Sequence, residues 1–227
     1  MPSAPRNSFQ MLGVSLLLGL AGAIAALLFL GWLTEEVLEG ETRRFDDATR
    51  TAVHQLASPG LTVAMRGISF LGSTYFLLAL TVVVVVCFLM RHWQREAMLF
   101  AITMAGAGLL DVTLKHAFQR PRPVPFFNIV APSSYSFPSG HALGSFCFYG
   151  ALAAILVTRL RARRIRIVLW TSSAVMIPLI GFSRIYLGVH YTTDVLAGFA
   201  AALIWIVVVA FVEQRLALRR QRKQNPA

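Results

Sequence analysis

Charged residues are scarce in this chain. Asp, Glu, Lys and Arg make up only 14% of the 227 residues, whereas hydrophobic residues make up 56% and occur in long blocks. A typical soluble domain carries about a quarter charged residues. The composition therefore excludes an ordinary soluble domain and predicts a single integral membrane domain, one compact bundle covering residues 1–227.

Cysteine is scarcer still, with two residues in the chain. Cys87 and Cys147 fall inside apolar runs at different predicted depths, where a cysteine behaves as a small buried hydrophobic residue. The sequence therefore predicts neither a disulfide bond nor a cysteine metal site.

Acidic residues are also few: 10 Asp and Glu stand against 21 Lys and Arg, which gives a formal net charge of +11 at pH 7. A basic chain can bind nucleic acid, but that function is typical of a basic stripe with interleaved aromatic side chains. Here the basic residues form short clusters between apolar runs, where membrane orientation and anionic lipid account for them. The pattern excludes nucleic acid as a partner.

Six apolar runs dominate the chain, at about 9–33, 71–90, 97–117, 139–159, 167–183 and 190–212. At roughly 1.5 Å per helical residue, a run of about 20 residues spans the hydrocarbon core of a bilayer. The first run is longer than the apolar part of a usual signal peptide and is interpreted as a retained span. The predicted fold class is all-α, a polytopic membrane protein with six transmembrane helices.

The longest connection, residues 34–70, begins with four glutamates and then shows apolar residues at helical spacing. Phe45, Ala48 and Ala52 share one helical face, and a Pro-Gly pair at 59–60 then interrupts the pattern. Short interfacial helices between spans 1 and 2 fit this connection best.

Six spans place both termini on the same side of the membrane. Of the 21 Lys and Arg, 13 fall on that side and 8 on the other, whereas acidic residues favour the other side. The positive-inside rule then places both termini in the cytoplasm and the opposite face outside the inner (plasma) membrane, facing the periplasm. Spans 3 and 5 end at this outer face, and spans 4 and 6 begin there. Four residues from four segments are therefore predicted to meet at one level: Lys115, His141, Arg184 and His190.

His190 and Asp194 are four residues apart at the start of the last span. On a helix this spacing places both side chains on one face, where the carboxylate can accept the N–H of one imidazole nitrogen. The other nitrogen is then free to act as a nucleophile. Arg184 adds a planar cation suited to phosphate oxygens. A helix-cap ion pair is the alternative interpretation of the His–Asp pair.

Three motifs in chain order fall at the predicted outer face. They are Lys115 followed seven residues later by Arg122-Pro123, then Pro138-Ser139-Gly140-His141, then Ser183-Arg184 with His190 and Asp194. This arrangement, K-x6-R-P, P-S-G-H and S-R-x5-H-x3-D, resembles the type 2 phosphatidic acid phosphatase family, also called lipid phosphate phosphatases. Every named position is filled, and the motifs cover about 80 residues.

The resemblance implies a metal-independent lipid phosphatase. His190 would be the nucleophile that forms a phosphohistidine, Asp194 would fix its tautomer, and His141 would be general acid and then general base. The phosphoryl oxygens would be bound by cations and by the start of span 4, through Lys115, Arg122, Ser139, Gly140 and Arg184. No metal and no other cofactor is expected, because no His, Asp or Glu cluster with ligand spacing is left over.

Three residues near these motifs keep two interpretations. Asp111 lies one turn before Lys115 and either orients it or forms a plain intramembrane ion pair. His116 and Arg120 are interpreted as loop residues, with a role in the site as the alternative.

A site at the water–lipid boundary favours a phosphate carried on a lipid. Among the substrates of bacterial members of the family, undecaprenyl diphosphate is preferred, with a role in carrier-lipid recycling for cell-wall synthesis. Phosphatidylglycerophosphate, phosphatidic acid and lipid A phosphates are the alternatives. The expected partners are this lipid and the bilayer, and no obligate protein partner is inferred.

Two other classes of protein share features with this sequence. The hydrophobic chain argues against the soluble haloperoxidases that use a similar constellation. A membrane scaffold or transporter that binds anions is the non-enzymatic alternative, but it would need neither His141 nor the His190–Asp194 pair.

Overall fold

The computed structural model describes residues 6–130 and 132–224, and within them the side chains of 19–130 and 132–219. These residues form an all-α structure without a strand. The helices are α1 (Arg6–Glu39), α2 (Arg43–His54), α3 (Pro59–Leu71), α4 (Thr74–Met90), α5 (Gln94–Phe118), α6 (Gly140–Ser145), α7 (Ala151–Arg159), α8 (Arg163–Tyr186) and α9 (Thr192–Gln224). A π-helical segment, Phe146–Gly150, joins α6 to α7.

Five helices in the described chain are long and apolar enough to cross a bilayer: Gly19–Glu39, Gln94–Phe118, Gly140–Arg159, Arg163–Tyr186 and Thr192–Arg219. The pair α3 and α4 meets the same condition as one segment bent by 48° at its break. The predicted six spans are reached when this bent pair counts as one. The prediction of an all-α, multi-pass membrane protein is confirmed.

Helix boundaries differ from the apolar runs in the sequence. α1 continues to Glu39, α8 begins at Arg163 rather than at 167, and α9 runs to Gln224 rather than to 212. A hydropathy pattern ends where charges begin, but Glu and Arg are good helix formers and the helices continue through them. The side chains in the first half of predicted span 1 lie outside the described residues.

Residues 34–70 contain two short helices, α2 and α3, as predicted, although α3 also forms the first part of the bent segment that completes the six spans. The apolar face of α2 is exposed, with Phe45 at 49%. Asp46, on a neighbouring face of the same helix, is fully buried. α2 therefore directs a carboxylate toward the bundle rather than its apolar face.

α3 packs against the end of α8. The hydroxyl oxygens of Thr62 and Tyr186 are 2.9 Å apart, and Tyr186 forms a buried cluster with Met65, Leu187 and Val189. This packing fixes the turn that leads from α8 to α9.

α6 and α9 approach so closely that only glycine fits at their crossing. A Cβ atom on Gly198 would lie 2.7 Å from the carbonyl oxygen of Ser139 and 2.9 Å from Cβ of Ala142. Cys147 is buried near this crossing, whereas Cys87 is exposed on α4, which corrects the expectation that both cysteines are buried.

Large apolar side chains are exposed along the long helices, among them Leu28 at 70% and Leu109 at 69%. Apolar surface of this extent is typical of an interaction surface, and a bilayer covers it in a multi-pass protein.

Candidate active site

Four segments meet at one end of the bundle, where α5 and α8 end and α6 and α9 begin; we call it the site end. Lys115 lies in the last turn of α5, His141 in the first turn of α6, and Arg184 in the last turn of α8. His190 lies in the short turn before α9. Arg184 and His141 line one cavity, Arg122 contacts His190, and Asp111, the partner of Lys115, lies against Gly140 beside His141. The structure thus brings the motif residues of distant segments into one cluster.

His190 and Asp194 face each other at the first turn of α9. Nδ1 of His190 lies 3.3 Å from Oδ2 of Asp194, and both side chains are buried. The same Oδ2 accepts the backbone N–H of Tyr191 at 2.9 Å and the hydroxyl of Ser136. An ionised carboxylate can only accept, so the proton of the pair is assigned to Nδ1, and Nε2 keeps its lone pair. Asp194 therefore caps the helix and also orients the imidazole, and the two interpretations of the pair coexist.

Arg122 reaches the other imidazole nitrogen. Its Nη1 lies 3.0 Å from Nε2 of His190 and donates to the carbonyl of Val189 at 2.9 Å. Its Nε and Nη2 donate to the backbone carbonyl and the hydroxyl of Ser134, at 2.6 and 3.0 Å. Because an arginine has no acceptor, its position beside Nε2 agrees with a lone pair on that nitrogen.

The environment keeps His190 neutral. Burial lowers the pKa of His190 to about 4, Asp194 opposes this lowering, and the cations Arg184 and Arg122 add to it. An unperturbed histidine titrates at about 6.5. Near pH 7 the imidazole is therefore uncharged and carries a free lone pair.

Arg120 contacts Asp194 on the side away from His190. Its Nη1 donates to Oδ1 of Asp194 at 2.6 Å and to the hydroxyl of Thr193 at 2.8 Å. Its Nη2 donates to Oδ2 of Asp46 at 2.8 Å. Burial by itself lowers the pKa of Arg120, but Asp194 and Asp46 outweigh this effect and raise it. Arg120 lies in the loop after α5, but its guanidinium bridges two buried carboxylates, which favours the alternative of a role in the site.

Asp46 was not identified from the sequence. It comes from α2, is fully buried, and accepts the backbone N–H of Thr193 at 3.0 Å and its hydroxyl at 2.7 Å. These bonds tie the interfacial helix to the first turn of α9. Its spacing from Asp194 carries no local pattern, and the acidic character of the 34–70 connection was the only signal in the sequence.

Lys115 is paired with Asp111 beside the start of α6. Nζ of Lys115 lies 2.8 Å from Oδ2 of Asp111. A Cβ atom on Gly140 would lie 2.6 Å from Oδ1 of the same carboxylate. Glycine at this position therefore lets the pair approach the helix start, and Asp111 both forms the ion pair and holds Lys115 there.

Ser139 differs from the expectation that its backbone N–H is free for an anion. That N–H donates to the carbonyl of Asp194 at 2.9 Å. The donors left at this helix start are the amides of the first turn, from Gly140 onward. The Ser139 hydroxyl is buried and has no hydrogen-bond partner among the described residues. Ser139 thus offers its side chain, rather than its amide, to a ligand.

Arg184 is buried at the end of α8, with an exposed fraction of 8%. Its Nη1 donates to the hydroxyl of Ser69 on α3 at 2.5 Å, and its Nε has no partner within the described part of the chain. Arg184 and His141 line a cavity of about 320 Å³. A buried cation beside a cavity is suited to bind an anion there.

His116 lies apart from this cluster. Its side chain is exposed, and its nearest aromatic neighbour is Tyr135 at a ring distance of 6.0 Å. His116 therefore lies in the last turn of α5 rather than in a loop, and its exposed side chain faces away from the cluster.

The arrangement combines a neutral, oriented imidazole with three cations and a second imidazole. A nucleophilic nitrogen, cations for spread negative charge and a candidate proton donor are the parts that transfer of a phosphoryl group requires. The site therefore indicates a class of protein: a multi-pass membrane enzyme whose arrangement is suited to phosphoryl transfer.

The comparisons agree with this class. The sequence model described as the PAP2 superfamily matches residues 96–217. Phosphatidylglycerophosphatase B of Bacillus subtilis is 32% identical over 200 residues, which is 88% of this chain and 98% of that protein. The chain belongs to the PAP2 superfamily and is a membrane lipid phosphatase. This membership argues against the non-enzymatic alternative of a membrane scaffold or transporter that binds anions.

Solved and curated relatives give further matches. The crystal structure of the transmembrane PAP2-type phosphatidylglycerolphosphate phosphatase from Bacillus subtilis superposes with a TM-score of 0.79 and 31% identity, covering 85% of this chain and 96% of that one. A putative undecaprenyl-diphosphatase of Escherichia coli is 30% identical over 130 residues, which is 54% of this chain and 60% of that protein.

Proposed function

We propose that this enzyme hydrolyses a lipid phosphate through a phosphohistidine formed on His190. The observation that carries the proposal is the buried His190–Asp194 pair, whose Nδ1–Oδ2 contact of 3.3 Å leaves Nε2 as the nucleophile. In the first step Nε2 attacks phosphorus while the bond from phosphorus to the leaving oxygen breaks. His141 gives its proton to that oxygen.

In the second step water attacks the phosphohistidine. His141, now neutral, accepts a proton from the water, the P–N bond breaks, and the electron pair returns to Nε2. Inorganic phosphate leaves, and the enzyme is restored with His141 protonated. Asp194 stabilises the imidazolium that exists between the two steps.

Lys115, Arg122 and Arg184 bind the phosphoryl oxygens in this scheme, with the Ser139 hydroxyl and the first amides of α6. Charge spreads over three oxygens during phosphoryl transfer, so fixed cations around them stabilise the transition state. Arg122 must turn away from Nε2 of His190 when the substrate binds. Its guanidinium and the phosphorus atom under attack cannot both lie next to Nε2.

Phosphatidylglycerophosphate is the substrate that the comparisons favour. The relative named phosphatidylglycerophosphatase B matches this chain over 98% of its own length. The solved phosphatidylglycerolphosphate phosphatase superposes on it over 96% of its own chain. The sequence alone favoured undecaprenyl diphosphate, which stays the second candidate because relatives of that name match with 28 to 30% identity over about half of this chain.

We place the site end at the outer face of the inner membrane, with both termini in the cytoplasm. The support is the excess of Lys and Arg on the opposite side, 13 of 21. In this orientation a lipid phosphate of the outer leaflet reaches the site by lateral diffusion.

The test is a phosphate-release panel in detergent micelles, with and without EDTA. It compares phosphatidylglycerophosphate, undecaprenyl diphosphate, phosphatidic acid and lipid A, using wild type, His190→Ala and Asp194→Asn. We expect hydrolysis that resists chelation and is abolished by His190→Ala. We expect a loss of roughly 10⁴-fold in kcat for Asp194→Asn, as in other sites where an aspartate sets the histidine tautomer. Turnover by His190→Ala at the wild-type rate would overturn the proposal.

A further inference from the structure

The cavity beside His141 contains a cation that none of the three motifs includes. The wall that holds His141 and Arg184 also holds Arg66, from α3. Ser69 and Ser73, which follow Arg66 on the same side of the bundle, add hydroxyl groups to the lining. The cavity is therefore basic and polar on the α3 side, although α3 belongs to a largely apolar bent span.

The cavity offers hydrogen-bond donors to an anion at one part of its wall, while the rest is lined by Phe70, Ile129 and Leu187. Arg184 is buried, is oriented by its hydrogen bond to Ser69, and has no other side-chain hydrogen bond among the described residues. A buried guanidinium with unused donors is costly unless a ligand supplies the acceptors, and in the mechanism proposed above these come from the transferred phosphoryl group, which therefore borders the cavity. Arg66, by contrast, is exposed and has one long hydrogen bond, 3.4 Å from its Nη2 to the carbonyl of Phe127. It is held weakly enough to turn toward a bound group.

The position of the cavity relative to the two histidines decides what enters it. His190 attacks phosphorus from one side, and the leaving oxygen departs on the opposite side, where His141 protonates it. The cavity lies on the His141 side, so it receives the atoms beyond the leaving oxygen. Arg66 therefore faces the leaving group and not the phosphoryl group that is transferred.

We propose that this cavity is a subsite for a second phosphate, carried by the leaving group and bound by Arg66 with the hydroxyl of Ser73. The proposal rests on the function proposed above and names its substrate class. The preferred substrates are lipids with two phosphate groups, joined either directly, as in a polyprenyl diphosphate, or through a short glycerol bridge, as in phosphatidylglycerophosphate. Phosphatidic acid has one phosphate and leaves Arg66 without a partner.

The chemistry of a second phosphate and of an arginine side chain supports a substrate with two phosphate groups. The second phosphate keeps at least one negative charge through the reaction, because its own bonds are not broken. A charge-assisted hydrogen bond from an arginine to a phosphate is among the stronger polar contacts in proteins. Its removal costs roughly 10- to 100-fold in kcat/KM for a two-phosphate lipid.

The experiment measures kcat/KM of Arg66→Gln on phosphatidylglycerophosphate, a polyprenyl diphosphate and phosphatidic acid, with the two glycerolipids matched in acyl chains. Arg44→Gln is the control, because Arg44 is an exposed arginine of α2 that does not line the cavity. We expect Arg66→Gln to lower the ratio of the two-phosphate lipids to phosphatidic acid by roughly 10- to 100-fold, Arg66→Lys to restore part of it, and Arg44→Gln to leave it unchanged.

The ratio makes the result independent of folding, because partial unfolding of a variant lowers the activity on every substrate by the same factor. An equal loss on all three lipids, or no change in the ratio, overturns the second-phosphate subsite. A wild-type enzyme that hydrolyses none of them refutes the proposed function instead, so the two failures are distinct. Inorganic pyrophosphate gives a lipid-free check: it should inhibit wild type more strongly than phosphate does, and Arg66→Gln should lose this difference.

Discussion

Asp46 and Asp194 are joined through a single guanidinium, although one lies on an interfacial helix and the other begins the last span. Arg120 donates to Oδ2 of Asp46 at 2.8 Å and to Oδ1 of Asp194 at 2.6 Å. Both carboxylates are fully buried, and Thr193 adds two further hydrogen bonds to Asp46. Two buried anions beside one cation are tolerated only when the remaining lone pairs are satisfied, and here backbone and hydroxyl donors do this. α2 thereby takes part in the orientation of the Asp194 carboxylate.

This relationship predicts that Asp46→Asn lowers turnover without contact to the substrate. The substitution replaces the carboxylate that holds Arg120 with a neutral amide. Arg120 and Asp194 then lose their fixed geometry. We expect kcat to fall roughly 10- to 100-fold, by analogy with the outer partners of metal-bound histidines, and KM to change little. Steady-state kinetics on one lipid phosphate provide the measurement.

The neighbouring Asp47→Asn is the matched control, because Asp47 is exposed and its side chain makes no closer contact to a charged group of the described residues than 3.9 Å, to Arg50. Its kinetics should equal those of wild type. If Asp46→Asn lowered the melting temperature but left kcat unchanged, Asp46 would have a structural role alone.

The pH dependence of the reaction follows from the buried nucleophile. In the proposed mechanism the neutral form of His190 attacks, so the reactive form is present above its pKa and is lost as the pH falls through that value. Burial lowers this pKa to about 4. We expect a bell-shaped profile of kcat/KM with its acid limb near this value, and an alkaline limb where His141 loses the proton that the leaving group needs.

The substrate phosphate also titrates, at about pH 6, and its effect on the profile is separated from an acid limb near pH 4. The profile is measured from pH 3.5 to 9 in buffers of constant ionic strength. A profile of kcat/KM with neither an acid limb nor an alkaline limb between pH 3.5 and 9 would remove the two histidines from the roles assigned to them.

Gly140→Ala tests the close approach of the Asp111–Lys115 pair to α6. The new Cβ would lie 2.6 Å from a carboxylate oxygen of Asp111, so the pair must move away from the helix start. We expect kcat/KM to fall by roughly 10-fold or more, since small displacements of charged positioning groups are costly in catalysis. Initial rates at low substrate concentration measure this parameter directly.

Gly108→Ala serves as the comparison, because a Cβ there meets nothing within 4 Å. Alanine has a higher helix propensity than glycine, so this variant should keep its activity and be equally or slightly more stable. A Gly140→Ala enzyme as active as Gly108→Ala would show that the steric argument is wrong.

The overall architecture could be predicted from the sequence because hydropathy acts locally. A bilayer requires about 20 apolar residues for each span, and the six runs satisfy this one after another. The parity of the spans then brings Lys115, His141, Arg184 and His190 to one end of the bundle. The spacing of His190 and Asp194 is likewise local, and it gives the contact that the structure shows.

What escaped the sequence depends on contacts between distant segments. Asp46 and Arg120 are 74 residues apart, and no periodic pattern relates them. The amide of Ser139 is used by the carbonyl of Asp194, a bond that exists only because α6 and α9 cross closely at Gly198. The break between α3 and α4 was also missed, since hydropathy does not detect a bend.

The most direct test of the account is the isolation of its covalent intermediate. The enzyme is mixed with lipid substrate that carries ³²P in the terminal phosphate, quenched in alkali within milliseconds, and digested. We predict a label that is stable in base and labile in acid on the peptide containing His190, and no label in His190→Ala. Label on another residue, or full turnover without label by wild type under conditions that trap other phosphohistidines, would contradict the account.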